Sequence, residues 1–224
     1  LGQLADQLLQ DGKYHELFEA RKMEVRHRLG LPLLYSDSGD DLTDEQRDEL
    51  EDGLIAACRE VGLALMKSGH LREGWMYLRP AGDKGVAQQI LAETDVNDEN
   101  IDEFVEIALQ EGVHPARGYQ LVLENYGTCN SITMFESTGH QFSLADQQAL
   151  VELLLRHVHK ELLSSVTSDI SSQQGEDPGQ DTLQALVEGR EWLFGEHSYH
   201  IDTTHLASTV RCSRCLADKE VLRL

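Results

Sequence analysis

The clearest hydrophobic pattern in the chain lies between Thr43 and Arg79. Apolar residues recur there every three or four positions, the spacing that places them on one face of an α-helix. Thr43 followed by Gln46 fits a capping box at the helix start, and Gly69 marks the helix end. A second apolar series follows at once, so the stretch predicts two antiparallel helices joined by a tight turn. The apolar positions are Leu50, Leu54, Ala57, Cys58, Val61 and Leu65 in the first helix, and Leu71, Trp75 and Leu78 in the second.

Similar patterns predict helices along the rest of the chain. Residues 1–28 predict a hairpin that turns at Gly12, and residues 98–126 predict another that turns at Gly112. Ser143 fits the N-cap of the longest predicted helix, and Asp83 fits the N-cap of a short helix at residues 84–93. No stretch alternates between apolar and polar residues for long enough to indicate a strand. Because one hairpin cannot bury its outer faces alone, we expect an all-α fold of stacked antiparallel helical hairpins.

A polar, glycine-containing stretch near residue 175 indicates the domain organisation. We expect residues 1–172 to form a helical-hairpin repeat domain and residues 173–180 to form a linker. Residues 181–224 are then a C-terminal helical segment, with helices predicted at residues 182–194 and 202–217. Helical patterns run up to both ends of the chain, so we expect a fragment of a longer protein whose last segment continues beyond residue 224. Residues 127–142 show no legible pattern.

Several positions of the hairpin at residues 43–79 resemble the tetratricopeptide repeat family. Gly62 and Gly74 stand where that family places small residues, which let the two helices of a repeat approach closely, and Gly69 stands at the turn. The resemblance implies a tetratricopeptide-like α-solenoid, a scaffold without catalytic activity whose concave surface binds a protein partner. The matching positions are Cys58, Val61, Gly62, Leu65, Gly69, Leu71, Gly74 and Leu78.

The N-terminal segment matches the same family with fewer residues. Leu17 stands in place of a small residue, and Arg21 stands in place of an aromatic one. The turn glycines Gly12 and Gly69 lie 57 residues apart, whereas tandem repeats of the family are about 34 residues long. The two matches cover under a third of the chain, so the resemblance implies a diverged hairpin repeat with insertions. The matching positions are Leu4, Ala5, Leu8, Gly12 and Tyr14.

Charge narrows the range of partners. The chain carries 40 acidic and 19 basic residues, a net charge of −21, which repels nucleic acid and anionic membranes. No apolar run approaches the about 20 residues of a membrane span. The acidic helices at residues 44–52 and 98–106 are either solvated faces or a negative groove that recruits a basic peptide. We therefore expect a protein or basic peptide as the partner, with no signal for the oligomeric state.

Aromatic residues on the predicted hairpins are the candidate anchors for such a partner, because aromatic side chains dominate the binding energy of many interfaces. The same residues could instead lie in the core. The candidates are Trp75, Tyr77, Tyr119 and Tyr126.

A histidine-rich segment at residues 195–206 offers an alternative function. Imidazole and carboxylate groups are the ligands that Zn²⁺ and Fe²⁺ prefer, so a metal-dependent enzyme could use this segment, with Asp202 or Glu196 as ligand or general base. Asp202 could equally be an ordinary helix cap. The metal-ligand candidates are His197, His200, His205 and Asp202. Elsewhere the chain lacks the common cofactor motifs, so the scaffold interpretation predicts no cofactor.

The four cysteines do not suggest a disulfide scaffold, which favours a reducing cytoplasm. Cys212 and Cys215 form a CxxC pair, but Cys212 falls about ten residues into its predicted helix. Redox CxxC pairs instead begin at a helix N-terminus. Packing in the core is the simpler interpretation of this pair.

Overall fold

The computed structural model of the protein describes residues 1–33, 42–195 and 199–216. These residues contain ten α-helices and no strand, which confirms the predicted all-α class. None of the helices in these ranges is long and apolar enough to cross a membrane. The helices are α1 (Gly2–Gln10), α2 (Tyr14–Arg28), α3 (Asp44–Lys67), α4 (Leu71–Leu78), α5 (Lys84–Glu93), α6 (Ile101–Val105), α7 (Pro115–Thr138), α8 (Leu144–Gln174), α9 (Leu183–Val187) and α10 (Thr203–Cys212).

The chain divides into two compact units, Leu1–His114 and Pro115–Leu224. The first unit holds α1 to α6, and the second holds α7 to α10. The linker predicted at residues 173–180 lies inside the second unit, where α9 and the turn after it pack back onto α8. The boundary between the two compact units lies at residues 114–115, and the predicted division into domains stays a prediction. The side chains that join α8 to this region are Val166, Ile170, Leu186 and Leu193.

The hairpin of α3 and α4 is built as its sequence predicts. Thr43 Oγ1 accepts a hydrogen bond from the backbone N–H of Gln46, whose side chain accepts one from the Thr43 N–H, each over 3.2 Å. Gly69 turns the chain with φ of +90°. A Cβ at either Gly62 or Gly74 would lie 2.8 Å from the carbonyl oxygen of the other, so the predicted close approach of the two helices is confirmed.

The helices α1 and α2 pack against α3 around a small apolar core. Arg21, at the position where the resemblance implies an aromatic residue, joins α2 to α3. Its guanidinium forms two hydrogen bonds to the Glu60 carboxylate, over 2.8 and 2.9 Å. This bidentate ion pair links the two helices through charge. The buried residues of the core are Ala5, Leu17, Ala20, Val61 and Leu65.

Two details of the first unit differ from expectation. Asp83 precedes α5 as a predicted cap would, but its carboxylate accepts hydrogen bonds from Arg59 of α3 and caps nothing. The predicted helix at residues 98–111 is α6 followed by a π-helical turn, Glu106–Gln110. At Asp83, a contact with a neighbouring helix replaces the local cap.

In the second unit, the segment that shows no pattern in the sequence is largely helical. Gly127 has φ of +79° and ψ of 168°, and it divides α7 into two helical segments. The buried Tyr119 hydroxyl bridges the division by donating to the carbonyl oxygen of Ser131 over 2.9 Å. Ser143 caps α8 as predicted, by accepting from the backbone N–H of Asp146.

The helices near the C-terminus are shorter than their patterns suggest. The predicted helix at residues 182–194 ends early, because Gly189 adopts φ of +70° after α9, and a 3₁₀ turn, Glu191–Phe194, follows. The last helix, predicted from Asp202 to Ala217, is α10 followed by a 3₁₀ turn, Ser213–Cys215. Residue 217 lies outside the described ranges.

Candidate active site

The histidine-rich segment leads into α10, and its aspartate caps that helix. Asp202 Oδ1 accepts from the backbone N–H groups of Thr204, over 2.8 Å, and of His205, over 3.0 Å. The His205 ring lies 5.8 Å from that of His200, measured between centroids. His197 and Glu196 fall outside the residues that the structure describes. The cap therefore brings an aspartate and two histidines to the start of one helix.

The cap also orients the His205 ring. Its Nδ1 atom lies 2.8 Å from Asp202 Oδ1. An ionised carboxylate can only accept hydrogen bonds, so Nδ1 carries the proton and donates it. The backbone N–H of Asp202 also faces Nδ1, at 3.3 Å, but that longer contact is weaker than the charge-assisted bond. This assignment leaves a lone pair on Nε2, the other ring nitrogen.

The ionised state of Asp202 follows from its surroundings. The hydrogen bond from the backbone N–H of His205 is the largest cause that lowers the pKa of Asp202 below its ordinary value. The bonds from Thr204 and from the His205 side chain lower it further, against a partial desolvation that raises it. Asp202 is therefore charged at neutral pH and is able to hold the His205 ring in one tautomer.

A cysteine from a different helix faces the free side of this ring. Cys129 Sγ lies 2.8 Å from His205 Nε2, where the thiol donates to the lone pair. Cys129 is exposed and is the second residue after the Gly127 division, so it lies in the first turn of the C-terminal segment of α7. Reactive cysteines of many enzymes occupy such a position, at a helix start beside a histidine.

Hydrogen bonds to α8 fix the residue before the cysteine. Thr128 is only 1 % exposed, and its hydroxyl donates to Glu161 Oε2 over 2.6 Å. The same hydroxyl lies 3.1 Å from His157 Nε2. Since the single hydroxyl proton goes to the carboxylate, His157 is the donor in the second bond. These two bonds join the start of the helical segment that carries Cys129 to α8.

The remaining cysteines lie in different surroundings. Cys212 is buried on α10, and burial raises its pKa to about 11. Burial also raises the pKa of Cys58 and of Cys215. All four cysteines are free thiols, and Cys212 packs in the interior, as the simpler interpretation of the CxxC pair predicts. Among the four, only Cys129 is exposed.

An apolar pocket opens beside the same helix start. This cavity, of about 680 Å³, lies among α8, α9 and α10. Its walls are mostly aliphatic and aromatic side chains, with Asp202 and Thr203 forming part of one side. Such a volume and lining are typical of small-molecule sites. We call this cavity the apolar pocket.

Only part of the predicted metal site lies within the described residues. Of its four candidate ligands, His200, His205 and Asp202 lie together at the start of α10, and His197 lies outside the described residues. Within the described ranges, no group of three or more His, Cys, Asp or Glu side chains is arranged to hold a metal ion. The metal site stays a prediction, and both ring nitrogens of His205 have other partners.

The four aromatic anchor candidates occupy unlike positions. Trp75 and Tyr119 are buried, at 8 % and 0 % exposure. Tyr77 is half-buried against Phe18, with its hydroxyl 2.8 Å from His15 Nδ1. Tyr126 is the most exposed of the four. The structure thus places half of these candidates in the core, and a role in partner binding stays a prediction for all four.

Sequence reasoning did not single out Cys129. It lies in the segment with no legible pattern, 76 residues before its histidine partner. No short motif joins two residues so far apart. The only local signal is a glycine two positions before a cysteine, which is common in loops.

Comparison of the chain with models of protein families, with curated proteins and with solved structures finds no match in any of the three. The interpretation of the site therefore depends on the geometry of its own side chains.

Proposed function

We propose that the second unit is a thiol-dependent enzyme that catalyses acyl transfer, with Cys129 as its nucleophile. One observation carries this proposal: Cys129 Sγ, the His205 ring and the Asp202 carboxylate form one chain of hydrogen bonds, each 2.8 Å long. A nucleophile, a base within hydrogen-bond reach and a third group that orients the base are the parts that covalent acyl transfer requires.

In the proposed reaction, Cys129 Sγ attacks the carbonyl carbon of an ester, thioester or amide while His205 Nε2 takes the thiol proton. The tetrahedral intermediate then collapses, the bond to the leaving group breaks, and His205 returns the proton to that group. The product is a thioester on Cys129. Water or a second acceptor loses a proton to His205 as it attacks the thioester. The bond between carbon and Sγ then breaks and His205 returns the proton to Sγ, which releases the acyl product and the free thiol.

The start of a helical segment also supplies a place for the negative charge of the intermediate. The first N–H groups of a helix have no acceptor within the helix, and they favour an anion. When Sγ attacks a carbonyl carbon, the negative charge develops on the carbonyl oxygen of the substrate. Because Cys129 lies in the first turn after Gly127, this oxygen would lie close to such N–H groups. Thr128, held by α8, keeps this turn in place.

The test is formation of an acyl-enzyme with p-nitrophenyl acetate. We expect a burst of nitrophenol of about one equivalent per chain, and mass spectrometry should locate the acetyl group on Cys129. Cys129→Ser should reduce the burst rate at least about 100-fold. The control is Cys58→Ser, in the other unit, which should retain the burst. Acetylation that persists in Cys129→Ser, or that occurs on another cysteine, would contradict the proposal.

A metal measurement separates this proposal from the metal-dependent alternative. His200, adjacent to His205, and the soft sulfur of Cys129 support the alternative, since both groups bind Zn²⁺. Elemental analysis of the purified parent and of the variant with His200→Ala and His205→Ala decides between them. Stoichiometric metal in the parent that disappears in the variant would make His205 a ligand and replace the thiol mechanism.

For the first unit we propose a second function, a tetratricopeptide-like hairpin scaffold that binds a basic segment of a protein partner. The close contact of Gly62 and Gly74 supports the resemblance, and so does the packing of α1 and α2 against α3. Residues 1–114 carry 25 acidic and 11 basic side chains, against 15 and 8 in the remainder. The net charge is therefore −14 in the first unit and −7 in the second, which favours a cationic partner at the first.

Binding of a fluorescent lysine-rich peptide to the full chain tests this second function. Exposed acidic residues of α3 are reversed in the variant with Asp48→Lys and Asp52→Lys. The matched control reverses Glu176 and Asp181, which are exposed in the second unit. We expect the first variant alone to weaken binding, by about tenfold at low salt. Equal weakening in both variants would show that net charge alone attracts the peptide, and it would contradict a binding site on α3.

A further inference from the structure

The apolar pocket has no part in the chemistry described so far. Side chains of α8 and α9 form one side of it, including Leu162, Val166, Leu183 and Val187. On the other side lie Phe194 and residues at the start of α10. The cavity is as large as typical binding sites for small molecules. A cavity of this kind, in a protein with a candidate nucleophile, is a candidate binding site for a ligand.

The pocket and the candidate catalytic residues share one residue. Asp202 lines the pocket, and its carboxylate holds the His205 ring that faces Cys129. Leu206, the next residue after His205, also lines the pocket. The first turn of α10 therefore contributes to both places. A ligand in the pocket would lie against the residue that orients the proposed base.

We propose that the apolar pocket binds the hydrocarbon part of an acyl substrate, a medium-chain aliphatic ester, thioester or amide. This inference rests on the proposed acyl transfer at Cys129. Among the described residues that line the pocket there is no lysine, arginine or histidine, and Asp202 is the one charged residue. A free carboxylate would meet no cation among these residues, whereas a neutral acyl chain meets aliphatic walls.

The mouth of the pocket supports the same occupant. Phe194 is 75 % exposed and Leu206 is 38 % exposed, although both line the cavity. Exposed apolar side chains that line the same cavity are typical of a binding site. A hydrocarbon chain laid across them would remove their apolar surface from water.

The first experiment compares p-nitrophenyl esters of acetate, butyrate and octanoate. If the chain enters the pocket, kcat/KM should rise with each added pair of methylenes, and the octanoyl ester should exceed the acetyl ester at least about tenfold. A flat or falling series would overturn the inference, even if all three esters acylate Cys129.

Two variants test whether the preference for a longer acyl chain arises in the apolar pocket. Val187→Trp, on α9, places a large ring in the cavity. We expect its loss of kcat/KM for the octanoyl ester to exceed its loss for the acetyl ester at least about tenfold. The matched control is Leu144→Trp, at an exposed site on α8 that does not line the pocket, which should change both esters alike. Equal losses for both esters in Val187→Trp would contradict the assignment.

A measurement without chemistry separates this inference from the proposed function. Octanamide is a neutral amide of the proposed substrate class, and Cys129→Ser lacks the thiol that would attack it. It should raise the Tm of Cys129→Ser and leave that of the variant with Cys129→Ser and Val187→Trp unchanged. Failure of the acyl-transfer proposal would appear as no acylation of Cys129 by any ester, with the octanamide effect still present. Acylation without chain-length preference and without an octanamide effect would overturn the pocket inference alone.

Discussion

The two units use their polar side chains differently. In the first unit, Arg21 pairs with Glu60, Arg72 with Glu106 and Arg79 with Glu111, and each pair joins neighbouring segments at the surface. In the second unit, a cysteine, two histidines and two carboxylates converge at the start of one helical segment. Residues of the first kind hold helices together, whereas Cys129, His205 and Asp202 form the chain of hydrogen bonds on which the proposed proton transfer depends. Helical packing alone therefore does not decide what a unit can do, and the predictions below test this difference.

The largest expected effect is the contrast in reactivity between Cys129 and Cys212. A buried thiol with a pKa of about 11 is ionised to about one part in ten thousand at pH 7. Iodoacetamide at pH 7.5 should therefore label Cys129 more than about 100-fold faster than Cys212, as peptide mass spectrometry would measure. Raising the pH towards 11 should increase the labelling of Cys212. Comparable labelling of both thiols at pH 7.5 would remove the distinction between an interior cysteine and a reactive one.

The next effect separates orientation of the base from helix capping. Asparagine caps helices about as well as aspartate, so Asp202→Asn should leave the Tm nearly unchanged. It should nevertheless lower the rate of Cys129 acylation at least about 100-fold, because an amide no longer fixes the Nδ1–H tautomer of His205. The matched control is Asp181→Asn, at an exposed position. An equal loss of Tm and activity in Asp202→Asn would indicate a structural role only.

The same variant has a pH signature. Folding lowers the pKa of Asp202, so its contribution to stability is present above the ordinary pKa, about 3.9. That contribution is lost as the pH falls through the lowered value. Acid unfolding of Asp202→Asn, followed by circular dichroism, should therefore lack this component at low pH. Superimposable acid transitions of parent and variant would contradict the assigned hydrogen bonds.

In the first unit the close contact of α3 and α4 should control stability. Gly62→Ala would bring a Cβ to 2.8 Å from a backbone carbonyl oxygen of α4, which cannot rotate away. We expect a loss of about 1–3 kcal/mol in the free energy of unfolding, measured in urea. The control is Gly85→Ala on α5, where a Cβ meets nothing within 4 Å. That change should stabilise by about 0.4–1 kcal/mol, and a loss of equal size in both variants would argue against close packing.

The smallest effect compares one side-chain cap from each unit. Thr43→Ala removes the cap of α3 in the first unit, and Ser143→Ala removes the cap of α8 in the second. Each should cost about 1 kcal/mol in the free energy of unfolding. Hydrogen exchange should show the increased exchange confined to the unit that carries the substitution. Increased exchange throughout both units would show that they unfold together.

Much of the fold was predictable because its signals are local. The capping box of Thr43 and Gln46 and the turn at Gly69 each depend on residues within a few positions of one another. The Asp202 cap was equally readable. The prediction differed at Asp83, because its carboxylate accepts hydrogen bonds from Arg59 of α3 and therefore does not cap α5. At Gly127 the sequence offers no such local signal, because residues 127–142 show no legible pattern although the structure continues as a helix beyond the glycine.

The sequence by itself determined that this protein is built of amphipathic helices with defined caps and glycine turns, since periodicity and capping act within one or two helical turns. Only the tertiary structure decided that Cys129 faces His205. That contact closes a loop of 76 residues, and its geometry depends on the division at Gly127 and on how α7 and α10 pack. A pattern that repeats every three or four residues carries no information about which distant side chain will lie opposite, because packing of whole helices sets that distance.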